Sequence, residues 1–155
     1  MNEYLEPLIR IGLAMFVGIV LGLNRWLHHK SAGIRTHSLV AIGAALLMLL
    51  MASFTDSDAQ SNSRVLQGLI TGIGFLGAGV IIHESQSSRI HGLTTAASIW
   101  VCALIGATFG AGYVYLGLLT FAFIMLVLTF GGVLEKLARK TLNVNRESEV
   151  PHEDL

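Results

Sequence analysis

Five long apolar runs constrain this chain more than anything else in its sequence. They are Leu8–Leu23 (extendable through Trp26 and Leu27), Ser38–Phe54, Val65–Ile82, Leu93–Phe109 and Tyr113–Leu134, and no Asp, Glu, Lys or Arg lies deep within any of them. A helix needs about 20 apolar residues to cross a bilayer, within a range of about 17 to 25. Charge is confined mostly to the polar connections and makes up 13% of the residues, where a soluble domain carries about 25%. Gly110, Ala111 and Gly112 place a turn between the last two runs, which otherwise read as one very long helix. The chain is therefore read as an all-α integral membrane protein, a bundle of about five transmembrane helices in one domain over residues 1–142. Residues 143–155, "NVNRESEVPHEDL", are polar and lack apolar periodicity, so they are expected to form a disordered tail.

Orientation follows from where Lys and Arg fall. The first connection holds Arg25, Lys30 and Arg35, the third holds Arg89, and the tail holds Lys136, Arg139, Lys140 and Arg146. The opposite side has only Arg10 and Arg64, accompanied by Glu3, Glu6, Asp56 and Asp58. The bias places the N-terminus outside and the C-terminus in the cytoplasm, as an odd number of spans requires. The acidic start, "MNEYLEP", does not read as a cleavable signal. A net charge of zero points to no nucleic-acid partner, and the single Cys102 excludes an internal disulfide.

The third run contains "GIGFLG", which fits the Gly-x-Gly-x-x-Gly spacing of dinucleotide-binding loops. That chemistry needs a strand before the loop and an acidic residue about 20 positions after it. Glu84 comes too soon, and the next carboxylate is Glu135. On a membrane helix Leu69, Ile73, Leu76 and Val80 form one bulky stripe. Gly68, Gly72 and Gly79 form a second stripe, and Gly74, Gly77 and Ala78 a third. Small residues collect where membrane helices approach closely, so this helix is expected to be central, wedged between two neighbours, one of them a second subunit of a dimer. The rival reading is a helix unwound at its glycines, whose free backbone groups line an ion path.

A shift of 59 positions lays the first two runs over the next two. Phe16 falls on Phe75, Gly18 on Gly77, Lys30 on Arg89, Gly33 on Gly92 and Thr36 on Thr95. The bundle is then two parallel-repeat helical hairpins plus a fifth helix. In such duplications sites lie at the repeat interface.

"AGIRTHSLVAIGAAL" (32–46), "GIGFLGAGVI" (72–81) and "HGLTTAASIWVCALIG" (91–106) resemble the MgtC/SapB family of bacterial inner-membrane proteins. The likeness spans roughly Leu8 to Leu134. It implies a multi-pass protein of the inner membrane, with a role in adapting to low magnesium. Larger relatives are linked to virulence and to restraint of the proton-translocating ATP synthase, so a regulatory action through another membrane complex is expected. The alternative is a transporter or channel for magnesium or another small solute. Many relatives read Gly-Leu-Glu-Arg at the end of the first span, where this chain has Asn24 before Arg25. A scheme that needs a carboxylate there loses its ligand. The chain resembles the short form of the family, without the soluble C-terminal domain of longer relatives.

Asn24, Arg25, Arg35, Thr36, His37, Thr94 and Thr95 make the leading candidate site. Helix starts after Gly33 and Gly92 offer free N–H groups, and the two starts are expected to converge into one cytoplasmic polar site for an anion or a partner. Topology and snorkelling toward lipid headgroups are the plainer account of the same charges. Asp56 and Asp58 could attract hydrated magnesium, and His83, Glu84 and His91 could join a transition-metal site, although none has a tight ligand spacing. The absence of ionisable groups deep in the spans argues against a carboxylate-driven pump. No nucleophile stands with an evident base, so no enzyme and no resident cofactor are expected. Magnesium would enter only as a ligand or as the transported ion.

Overall fold

The computed structural model describes residues 4–54, 59–83 and 92–141. They form five α-helices: α1 (Leu5–Leu27), α2 (Ile34–Ser53), α3 (Ala59–His83), α4 (Leu93–Gly110) and α5 (Val114–Thr141). Each is long and apolar enough to cross a membrane, as the apolar runs predict. The helices overrun those runs. α1 begins at Leu5 rather than Leu8, α2 at Ile34 rather than Ser38, α3 at Ala59 rather than Val65, and α5 continues to Thr141. Helical hydrogen bonds are satisfied within the segment, so the helix need not stop where the apolar side chains do. Pro7 sits in the first turn of α1, where its missing N–H costs nothing. The expected tail at 143–155 lies outside the described residues.

The chain divides into two compact units, Met1–Phe121 and Ala122–Leu155. In the second, the described residues are the remainder of α5, which exposes Phe123, Leu126, Phe130 and Leu134. In the first, α1, α2 and α4 pack mutually, while α3 packs on α4 and barely touches α2.

Close backbone approach holds the first unit together. A Cβ added at Gly18 or Gly22 of α1 would stand 2.6 Å from the Ser38 Cα or 2.5 Å from the Ile34 Cα of α2. A Cβ added at Gly106 or Gly110 of α4 would stand 2.8 Å from the Cα of Ala41 or of Ala45. Both glycine pairs have four-residue spacing, so each pair lies on one face and lets two helix backbones touch. Around them Val17, Leu21, Ala44, Ile99, Ala103 and Phe109 are buried. Along its membrane-crossing stretch α4 is 56% buried, whereas α3 is 11% buried.

The central helix is therefore α4, which corrects the expectation for the glycine-rich α3. Within this chain a Cβ at Gly68, Gly72, Gly74 or Gly79 would meet nothing within 4 Å, and only Gly77 approaches a neighbour, 3.5 Å from the Ala96 Cβ. α3 is also continuous from Ala59 to His83, so it is neither unwound at its glycines nor a nucleotide loop. The expected repeat keeps its register at the helix starts, since Gly33 and Gly92 precede α2 and α4 by one residue each. It is not matched in packing, because α1 touches both α2 and α4 whereas α3 barely touches α2.

Two helix ends share one termination. At α4, Gly112 has φ 90°, its N–H donates to Phe109 O (2.9 Å), and the Tyr113 N–H donates to Thr108 O (3.0 Å). At α1, His29 has φ 53°, its N–H donates to Trp26 O (3.0 Å), and the Lys30 N–H donates to Arg25 O (3.1 Å). This pair of reversed bonds around one left-handed residue is the Schellman motif, in which glycine is the usual occupant. It turns the chain sharply at His29 and fixes where the first connection begins.

Candidate functional site

The end of α1 and the starts of α2 and α4 meet in a buried polar cluster. Arg25, His37, Thr95 and Ser98 are the buried polar side chains among the described residues, none more than 4% exposed. Arg25 lies in the last turn of α1 and its Nη2 donates to Thr95 Oγ1 at 3.3 Å. Its Nε is buried and has no hydrogen-bond partner. Among the described residues no carboxylate pairs with it.

His37, in the first turn of α2, is held at both nitrogens. Nδ1 donates to the Gly33 carbonyl at 3.0 Å, and Nε2 lies 3.1 Å from Ser98 Oγ. The Ser98 hydroxyl is also 2.7 Å from the Thr95 carbonyl. With Nδ1 donating, a neutral ring must accept at Nε2, so the one Ser98 proton goes to His37. Donation to Thr95 instead requires a proton on both ring nitrogens. One turn further along α4, Cys102 Sγ–H donates to the His37 carbonyl at 3.3 Å. This ladder ties α2 to α4 over two turns.

Of the candidate residues, the structure brings together Arg25 from the end of α1, His37 from the start of α2 and Thr95 from the start of α4. Arg35, Thr36 and Thr94 are exposed. Arg35 and Thr36 instead line a cavity of about 430 Å³ with Trp26, Lys30, Ser31 and Gly33. Asn24 is half-buried, with Oδ1 unpartnered. Neither α2 nor α4 has a side-chain cap or an acidic residue in its first turn. Asp56, Asp58, Glu84 and His91 lie outside the described residues, as does the side chain of His83. Among the described residues no three His, Cys, Asp or Glu side chains come together as a metal site.

Ser98 is not among the candidate residues of the sequence, and Arg10 enters there only through topology. Arg10 Nη1 donates to the Gly110 carbonyl at 2.9 Å, at the C-terminus of α4, and Nη2 pairs with Glu6. Burial of Arg25 had no sequence signal, because a cation at the end of a span reads as snorkelling. The packing glycines did have one, the four-residue spacing of Gly18–Gly22 and Gly106–Gly110.

Five spans, glycine-to-backbone packing and a polar cluster at one end define a multi-pass α-helical membrane protein. The chain belongs to the MgtC family, whose pattern it matches over residues 11–137. It is 41% identical to the protein SrpB of Synechococcus elongatus, covering 88% of this chain and 81% of SrpB. It is 38% identical to YhiD of Escherichia coli K12, named as a candidate magnesium transporter, covering 90% of this chain and 66% of YhiD. Against the protein MgtC of Brucella abortus it is 42% identical, covering 65% of this chain and 41% of that protein. No solved structure matches the chain.

Proposed function

We propose that this chain is a bacterial inner-membrane protein of magnesium homeostasis, acting in adaptation to low magnesium by regulating another membrane complex, for which the ATP synthase is the leading candidate. Its N-terminus faces outward and its C-terminus the cytoplasm, in keeping with the excess of Arg25, Lys30, Arg35 and Lys140 on one side. One observation carries the regulatory reading. The buried polar groups of the described residues gather at a single end, around Arg25 and His37, while Gly18, Gly22, Gly106 and Gly110 close the packed helices against one another. Such an arrangement supports docking or sensing at the cytoplasmic face, with Arg35 and Thr36 as the exposed part of the surface.

Transport of magnesium is the second reading, supported by the name of the relative YhiD and by an apolar groove of about 480 Å³ lined by Leu47, Val65, Gly68, Leu69, Gly72 and Ile73. Magnesium keeps its waters and prefers oxygen ligands. That groove offers carbon, so regulation is preferred. A second copy covering the open glycine face of α3 completes the proposal as a homodimer. Growth of a strain lacking the protein, in low magnesium, tests the role. The chain should restore growth and Arg35→Ala should restore it poorly at equal expression. Full rescue by Arg35→Ala would count against a cytoplasmic docking surface.

A further inference from the structure

The two arginines of α1 stand at opposite ends of α4, and only one of them is satisfied. α1 and α4 run antiparallel, so Arg10 reaches Gly110 and Arg25 reaches Thr95 across the same helix pair. A helix C-terminus carries partial negative charge and an N-terminus partial positive charge. Arg10 lies at the favourable pole, bonds a terminal carbonyl and has Glu6 as a counter-ion. Toward α4, Arg25 is the reverse case, although it lies in the last turn of its own helix α1, where a cation is favoured. It is 4% exposed, it points at the positive end of an 18-residue helix with no acidic residue in its first turn, and its Nε is unpartnered. Burying a guanidinium is costly unless the charge is paired and its N–H groups are bonded.

We infer that Arg25 and the first turn of α4 bind an oxyanion of phosphate type. The guanidinium fork matches such an oxyanion with two parallel N–H bonds. The N–H groups that open α4, which no side chain caps, supply further donors, and the Thr95 hydroxyl stands beside them. Lys30 and Arg35, lining the cavity at the start of α2, add positive charge to the same end of the fold. A divalent cation is disfavoured here, since among the described residues the cluster has no carboxylate. The anion is either free phosphate or the headgroup phosphate of a membrane lipid. This inference goes beyond the magnesium role and does not rest on it, because binding is read on purified protein.

The test is a calorimetric titration of the full chain, delipidated in maltoside, with inorganic phosphate, alongside native mass spectrometry of the protein before delipidation. The expected result is saturable phosphate binding, weakened at least tenfold in Arg25→Gln and several-fold in Thr95→Val, and unchanged in the charge-matched Arg64→Gln. Should a phospholipid be retained by the parent chain and lost in Arg25→Gln, the headgroup is the source. Phosphate binding without retained lipid identifies the free anion. Arg25→Lys, which keeps the charge and loses the fork, replaces Arg25→Gln if that variant does not fold, and is expected to bind several-fold more weakly. Folded parent protein that neither binds phosphate nor retains phospholipid would overturn the inference, as would equal binding by the Arg25 variants.

Discussion

Arg25 in the last turn of α1 places Nη2 3.3 Å from the Oγ1 of Thr95 in the first turn of α4. Fifteen residues earlier, about four turns along α1, Arg10 bonds the carbonyl of Gly110 at the other end of α4. The pair of contacts fixes the register of the central helix against α1, and the two ends differ in how their charge is met.

At the Arg10 end the charge is structural. Arg10→Ala removes a charged hydrogen bond to a helix terminus and should destabilise the protein by about 1.5–3 kcal/mol. Glu6 is largely exposed, so Glu6→Gln should cost under about 1 kcal/mol. Thermal unfolding in detergent compares the two, and equal effects would mean that the ion pair, not the Gly110 contact, matters.

Glycines of identical spacing should respond oppositely. Gly106→Ala forces a methyl to 2.8 Å from the Ala41 Cα, which should cost at least about 1–3 kcal/mol of overpacking. Gly18→Ala should behave alike against Ser38. Gly72→Ala meets nothing within 4 Å in its own chain and in the monomer gains about 0.8–1 kcal/mol of helix propensity. Gly72→Leu should leave the fold intact and dissociate the proposed dimer, as read by light scattering. A Gly72→Leu protein that still runs as a dimer would move that interface elsewhere.

The reason this contrast escaped the sequence is physical. Gly18–Gly22, Gly68–Gly72 and Gly106–Gly110 have the same spacing, and spacing reports a face without saying what covers it. α4 is apolar on all sides, so no stripe marks it as the buried helix, whereas the bulky and small stripes of α3 invite a packing assignment that this chain does not use. The spans were legible because bilayer thickness sets their length, and the α4–α5 turn because Gly112 provides the left-handed residue. The 59-residue register pairs Gly33 with Gly92 and so brings the two helix starts to notice, but through Arg35, Thr36, Thr94 and Thr95; the contact of Arg25 with Thr95 has no signal in the sequence.

His29 holds φ 53° at the position where Gly112 sits in the other Schellman turn. A left-handed non-glycine residue costs about 1–2 kcal/mol, part of which glycine returns as entropy in the unfolded chain. His29→Gly should therefore stabilise by about 0.5–1 kcal/mol, and Gly112→Ala should destabilise by more than about 1 kcal/mol. Paired melting curves check both signs.

Ser98 joins α4 to α2 through His37. Ser98→Ala leaves the buried Nε2 of His37 without its partner, at a cost of about 1–3 kcal/mol. Cys102→Ser keeps a donor for the His37 carbonyl and should cost less. Denaturation of both variants decides whether the ladder or its apolar surroundings hold the helices together.

The most direct measurement for the account as a whole is magnesium flux into proteoliposomes containing the purified, correctly inserted protein, with and without a membrane potential. No saturable flux above empty vesicles is expected in either condition. Reproducible, saturable flux would contradict the regulatory reading and direct attention to the groove beside Gly68 and Gly72.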